Sequence, residues 1–262
     1  MAASSATKPH CHRFEGKLAV VTASTLGIGF AIAQRLGEEG AHVVISSRKQ
    51  ANLDEALAKL TALGCSVSGV VCHVGKAEDR AALIAHATTG LGRTRIDVLV
   101  SNAAVQPAAG PTLEAADAIF DKIFDVNVKA AWQVTKAARP FLGEGSSIVY
   151  VSSVGGYNPG PPLGLYGVSK TALLGLSKLL AKELGPAGIR VNCLAPGVVR
   201  TRFSKVLWES EAANAAACEA AFLGRTSAPE EMAGAVAFMC CEDASFMTGE
   251  TMIVGGGLEA RL

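Results

Sequence analysis

One pattern narrows the possible folds more than any other: short apolar runs rich in β-branched residues alternate with segments of helical periodicity. The runs are LAVVTAS from Leu18, HVVISS from His42, VSGVVCHV from Val67, IDVLVSNAA from Ile96, SSIVYVSS from Ser146, IRVNCLAPG from Ile189 and TMIVGG from Thr251. Between them lie helical stretches beginning at Ala31, Gln50, Asp79, Asp121, Lys170 and Pro229. The second of these puts Leu53, Leu57 and Leu60 on one face and closes on Gly64. Runs that are apolar on both faces belong to a parallel sheet covered by helices on both sides. Right-handed crossovers make that sheet doubly wound, and seven runs are too few for a barrel of eight strand–helix units. No repeat or linker divides the chain. The expectation is an α/β protein with one doubly wound Rossmann domain and a sheet of about seven parallel strands. It spans residues 15–262, and residues 1–14 form a flexible leader.

Half of the 262 residues are apolar and 18% are charged, enough to build one sizeable core. Lys plus Arg is 24 and Asp plus Glu is 23, a balance with no field for a nucleic-acid backbone or an anionic membrane. The uncharged stretch from Gly145 to Ser169 is interrupted by Gly155, Gly156, Pro159, Gly160, Pro161 and Pro162, so no membrane span runs through it. The seven cysteines have no metal-ligand spacing and read as small buried hydrophobes of a reducing compartment. The first residues, MAASSATKPHCHRF, lack the apolar stretch of a secretory signal; they read as a leader or as a weak transit segment.

The first run leads through Thr22, Ala23, Ser24, Thr25, Leu26, Gly27, Ile28 and Gly29 into a helix. Glycines at such a turn let the backbone approach a pyrophosphate, whose charge then sits at the helix N-terminus. An NAD site places an acid at the end of the second strand to hold the ribose hydroxyls. Here that end reads Ser46-Ser47-Arg48-Lys49, with no acid before Asp54. A hydroxyl and two cations attract a 2′-phosphate, so the pattern favours NADP(H).

Tyr166 and Lys170 lie one helical turn apart, and Ser153 ends the fifth run, on the side where open parallel sheets bind ligands. A tyrosine can protonate a nascent alkoxide once its pKa is lowered, which Lys170 and a positively charged nicotinamide could do together. Reaching about 7–8 from about 10 takes roughly 3–4 kcal/mol.

Taken together these motifs identify the chain as resembling the short-chain dehydrogenase/reductase family from about Gly16 onward. The glycine turn resembles the family's T-G-x-x-x-G-x-G, Asn102-Ala103-Ala104 its N-A-G, and Asn127 in Asp-Val-Asn-Val its helix asparagine. Ser153, Tyr166 and Lys170 fall on the catalytic positions, and Pro196-Gly197 with Thr201 on the loop that holds the nicotinamide. Within the family, the wording VTAST, SSRKQ, VCHVGKAEDR, SKTALLGL and TGET is similar to peroxisomal NADPH-dependent carbonyl and retinal reductases.

The resemblance implies that Asn127 holds a water and Lys170 binds ribose hydroxyls and lowers the Tyr166 pKa. It implies that Ser153 orients the carbonyl and Tyr166 protonates its oxygen. The implied cofactor site comprises Ala23, Ser24, Thr25, Gly27, Ile28, Gly29, Ser47, Arg48, Lys49, Asn52, His73, Val74, Asn102, Ala103, Tyr166, Lys170, Pro196, Gly197, Val199 and Thr201. It also implies a homotetramer, with ketone, aldehyde or dicarbonyl substrates.

Three residues depart from the wider family pattern. Ala23 replaces a glycine, so the turn there is expected not to need positive φ. Ala104 replaces the last glycine of N-A-G. His73 stands where many relatives carry an aspartate near the adenine, and it reads either as a cofactor neighbour or as a partly buried histidine without ligand contact. Asp97 and Asp125 lack partner carboxylates and read as structural, and Trp132 reads as core or subunit interface.

Trp208 lies in a substrate lid at about 198–223, whose Phe203, Val206 and Leu207 suit a hydrophobic carbonyl compound. The competing readings are a 3-oxoacyl or enoyl thioester reductase and an NADP-binding scaffold without chemistry. The terminal Ala260-Arg261-Leu262 resembles the tripeptide read by the peroxisomal import receptor, which places the protein in peroxisomes, with or without a cytosolic fraction.

Overall fold

Each strand feeds two helical layers, because successive side chains leave a strand on opposite faces. In β1 (Leu18–Val21), Leu18 and Val20 enter one core and Ala19 and Val21 the other. This is why the runs are apolar throughout. The computed structural model describes residues 12–258. After β1 come α1 (Gly27–Glu38), β2 (His42–Ser47), α2 (Gln50–Ala62), β3 (Ser66–Val71), α3 (Ala77–Ala87) and β4 (Val98–Ser101). The second half comprises α4 (Asp117–Phe124), α5 (Ala130–Ala138), β5 (Ser147–Val151), α6 (Gly164–Leu184), β6 (Arg190–Pro196), α7 (Glu211–Ala220), α8 (Pro229–Cys240) and β7 (Thr251–Val254).

The strands form one sheet in the order β3-β2-β1-β4-β5-β6-β7, and every pairing is parallel. One face packs on α1, α2 and α8 through Ile32, Leu36, Leu53, Leu60, Met232 and Val236. The other packs on α3, α5 and α6 through Leu83, Ile84, Val134, Leu173, Leu180 and Leu184. The strand order reverses between β1 and β4, and that switch point opens a crevice at the carboxyl ends of the strands. Among the described residues no helix is long and apolar enough to cross a membrane.

The boundary expected at residue 15 is corrected by two residues of the expected leader. Phe14 is buried in the first core, and the Arg13 guanidinium pairs with Glu39 at 2.6 Å, so both dock on the domain rather than belong to a free leader. Ala260-Arg261-Leu262 and Cys11 lie outside the described residues.

Candidate active site

The turn between β1 and α1 is held from beneath by side chains. The Thr22 hydroxyl oxygen accepts from the backbone N–H groups of Asn102 and Ala103, and the Asn102 amide donates to the carbonyls of Thr22 and Ala23. Ala23 adopts φ +52°, against the expectation that an alanine here marks a turn without positive φ. Its N–H donates to the Ser46 hydroxyl at 3.2 Å, and that bond with the Asn102 contact keeps the residue in the left-handed region. Ser24 is also corrected as a cofactor contact. It is fully buried, its hydroxyl donates to the Val21 carbonyl and accepts from Ser46 N–H, and it lines neither part of the cleft.

Gly27 has φ +58°, and a Cβ on Gly29 would lie 2.5 Å from the Asn102 amide nitrogen and 2.6 Å from the Ala23 carbonyl. The first turn of α1 carries neither a side-chain cap nor an acid, so its N–H groups are left for a ligand.

On one side of this turn a cavity of about 210 Å³ is lined by Thr25, Ser47, Arg48, Lys49, Asn52, His73, Val74 and Ala103. Arg48 and Lys49 are exposed there, and among the described residues neither forms an ion pair. His73 borders the cavity while its Nδ1 accepts from Gly75 N–H at 3.1 Å, so it serves the loop and faces the crevice together.

On the other side a cavity of about 260 Å³ holds Gly27, Ile28, Gly29, Asn102, Ser153, Tyr166, Lys170, Pro196, Gly197, Val199 and Thr201. Tyr166 and Lys170 stand on the first two turns of α6, and Ser153 follows the end of β5. The Lys170 ammonium donates to the Val151 carbonyl at 2.7 Å and lies 5.5 Å from the centre of the Tyr166 ring. Burial pushes the Lys170 pKa down to about 8. Burial also raises the Tyr166 phenol well above its ordinary value, an effect the Ser153 hydroxyl only partly offsets. The downward pull on Tyr166 is expected from Lys170 together with a positively charged nicotinamide, and desolvation of the phenolate is what that pair must overcome.

Asn127 sits in a π-helical turn, Asp125–Lys129, between α4 and α5. It is fully buried and lines neither cavity. Its side chain accepts from Val105 N–H at 2.8 Å and donates to the Val105 carbonyl and to Ser169. Both amide hydrogens and one acceptor position of that side chain are thus taken by protein partners.

Of the expected lid at 198–223, the first part borders the larger cavity, from Val198 to Leu207, and a bridge between Val199 and Ser227 ties its base. Phe203 tilts against the Tyr166 ring at 5.7 Å, and Val206 and Leu207 line the wall. Trp208 does not line the cavity. Its indole N–H is shared between the Thr201 carbonyl and the Ser204 hydroxyl, both at 3.2 Å, which braces the first part of the segment internally.

Trp132 is 42% exposed and so is not a core residue of this chain. Asp97 accepts from Leu18 N–H and pairs with Arg95, and Asp125 pairs with Lys129; both are structural. Gln106, Leu163 and Arg202, not singled out from the sequence, also border the larger cavity. Proximity to Asn102, Tyr166 and Thr201 was their only signal.

A parallel sheet in this order, with a glycine turn at its switch point and a serine, tyrosine and lysine at the adjoining cavity, defines an oxidoreductase of the Rossmann type. The chain belongs to the short-chain dehydrogenase/reductase family. A family model described as Enoyl-(Acyl carrier protein) reductase matches residues 22–259. The chain is 55% identical over 250 residues to "Dehydrogenase/reductase SDR family member 4" of Sus scrofa, covering 95% of this chain and 89% of that one. A dehydrogenase/reductase structure from Sinorhizobium meliloti superposes with a TM-score of 0.89 at 32% identity, covering 96% and 98% of the two chains. A short-chain dehydrogenase from Burkholderia cenocepacia, solved in complex with NADP, gives 0.86 at 30% identity over 94% and 99%.

Proposed function

We propose that the protein reduces hydrophobic ketones, aldehydes or dicarbonyls, retinal-like compounds among them, to alcohols with NADPH. The observation that carries this reading is the placement of Ser153 and Tyr166 at one largely apolar cavity that continues into the glycine turn. The cofactor fits the residues present. The uncapped start of α1 and the close-packed Gly29 suit a diphosphate, and Arg48 and Lys49 suit a 2′-phosphate. NADP in the Burkholderia relative supports the same assignment.

When bound, the reduced nicotinamide supplies the hydride. Ser153 orients the carbonyl and Tyr166 gives its phenolic proton to the oxygen as negative charge develops there. Lys170 carries the charge that favours the resulting phenolate, and Asn127 keeps the π-helical turn packed against Ser169 on α6.

A scaffold without chemistry would have no use for a buried ammonium, which is costly to keep charged. The thioester-reductase reading takes its support from the description of the matching family model. Consumption of NADPH with retinal or a diketone, and none with 3-oxoacyl or enoyl thioesters, separates the two; the reverse outcome favours the thioester. Tyr166→Phe is expected to lower turnover by about 10²–10⁴-fold while leaving the dissociation constant for NADPH within about threefold. Retention of a tenth of the wild-type rate would remove Tyr166 as the acid.

The exposed apolar side chains Phe120 on α4, Trp132 on α5 and Val168 and Leu179 on α6 support a homotetramer, which sedimentation velocity tests.

A further inference from the structure

The larger cavity has an uneven charge. Of the residues around it only Lys170 and Arg202 are charged, and no carboxylate borders it. Lys170 is spoken for by the Val151 carbonyl. The other lid cations are also committed: Lys205 pairs with Glu209 at 2.5 Å, and Arg200 bonds Thr226 at 2.7 Å and Asn214 at 2.9 Å above the Trp208 ring. Arg202 is different. It is exposed at the cavity mouth and, among the described residues, has neither an ion pair nor a hydrogen-bond partner for its guanidinium. It adjoins Phe203, the side chain that leans on Tyr166, and it shares the cavity with Leu163, Val198, Val206 and Leu207.

An apolar chamber with a proton donor inside and one unspent guanidinium at its mouth suits an amphiphile. We propose that the preferred substrates are oxo acids, with the carbonyl at Tyr166, an apolar body against the lid and a carboxylate gripped by Arg202. The planar guanidinium offers two parallel donors to a carboxylate, which a neutral ester or amide cannot match. This inference rests on the carbonyl-reductase reading given above and narrows it to an anionic substrate class.

The test uses ω-benzoylalkanoates of graded chain length, each paired with its methyl ester, with NADPH and the full-length protein. For the chain length that spans the cavity, the acid is expected to exceed its ester in kcat/KM by about tenfold, and added salt is expected to shrink the ratio. Arg202→Gln should bring the ratio close to one, and Arg202→Lys should keep part of it. Esters preferred over acids at every length would overturn the proposal. So would a Gln variant that loses both substrates alike with a raised KM for NADPH, because the guanidinium would then serve the cofactor. A wild-type enzyme that reduces neutral ketones without preference for acids leaves the carbonyl-reductase reading standing and this one fallen. A protein that reduces no carbonyl compound fails both.

Discussion

The ammonium of Lys170 is anchored on the carbonyl of Val151, the last residue of β5, at 2.7 Å. That bond holds a buried cation in the sheet's carboxyl-end crevice, where burial brings its pKa down to about 8. If Lys170 must be charged for Tyr166 to give up its proton, kcat/KM for carbonyl reduction falls as pH rises through about 8 and stays flat on the acid side. Stability runs the other way. The folded pKa lies below the unfolded 10.5, so the unfolded chain binds more protons between those values and stability rises with pH across that window. Thermal melts of wild type and Lys170→Met against pH check this. A wild-type slope no steeper than that of the variant would contradict the charge assignment.

Ala23 pays for a left-handed backbone that glycine adopts freely. Ala23→Gly is expected to stabilise the fold by up to about 1 kcal/mol, the left-handed penalty less the entropy glycine adds to the unfolded chain. Gly29→Ala acts in the opposite sense, because its Cβ would fall 2.6 Å from the Ala23 carbonyl, a backbone atom that cannot swing aside. Chemical denaturation of both variants, with NADPH titration of the second, measures the two effects. An Ala23→Gly protein less stable than wild type would show that no strain is held there.

Arg48 is expected to carry much of the preference for NADPH over NADH, at least tenfold in kcat/KM for the wild type. One charge-assisted contact contributes roughly 1.5–3 kcal/mol in protected surroundings and less at this exposed edge. Arg48→Ala should reduce the preference about tenfold. Equal use of the two cofactors by the wild type would remove the NADP assignment, and an unchanged ratio in the variant would shift the role to Ser47 and Lys49.

Peroxisomal targeting by Ala260-Arg261-Leu262 is testable without the enzyme. A fluorescent protein carrying the last dozen residues is expected to become punctate and to coincide with peroxisomes. A diffuse signal counts against the address.

The sheet and its order of elements could be read from the chain because a doubly wound fold writes itself in local patterns. Each strand is apolar on both faces, and each helix repeats its own stripe. Ser153, Tyr166 and Lys170 were legible for the same reason, since all three lie near the junction of one strand and one helix. What escaped depends on contacts between distant segments. The φ of Ala23 is set by Ser46 and Asn102, and the commitment of the Asn127 amide by Val105 and Ser169. Arg202 and Leu163 meet at one cavity only because the lid folds back over the start of α6. Trp132 reads from its sequence as core or subunit interface, and its exposure removes only the first of these.

The placement of the thiols has a practical consequence. Burial raises Cys72 to about 11 and Cys193 and Cys240 to about 12, so these sulfurs stay protonated and resist peroxide and alkylating reagents at neutral pH. Cys218 is the one described cysteine that is not buried, and it rides on α7, the helix of the lid. With Cys11 replaced by serine, a maleimide dye would attach at Cys218. Its emission would then show whether the surroundings of α7 change when NADPH or a carbonyl substrate is added, with no engineered cysteine.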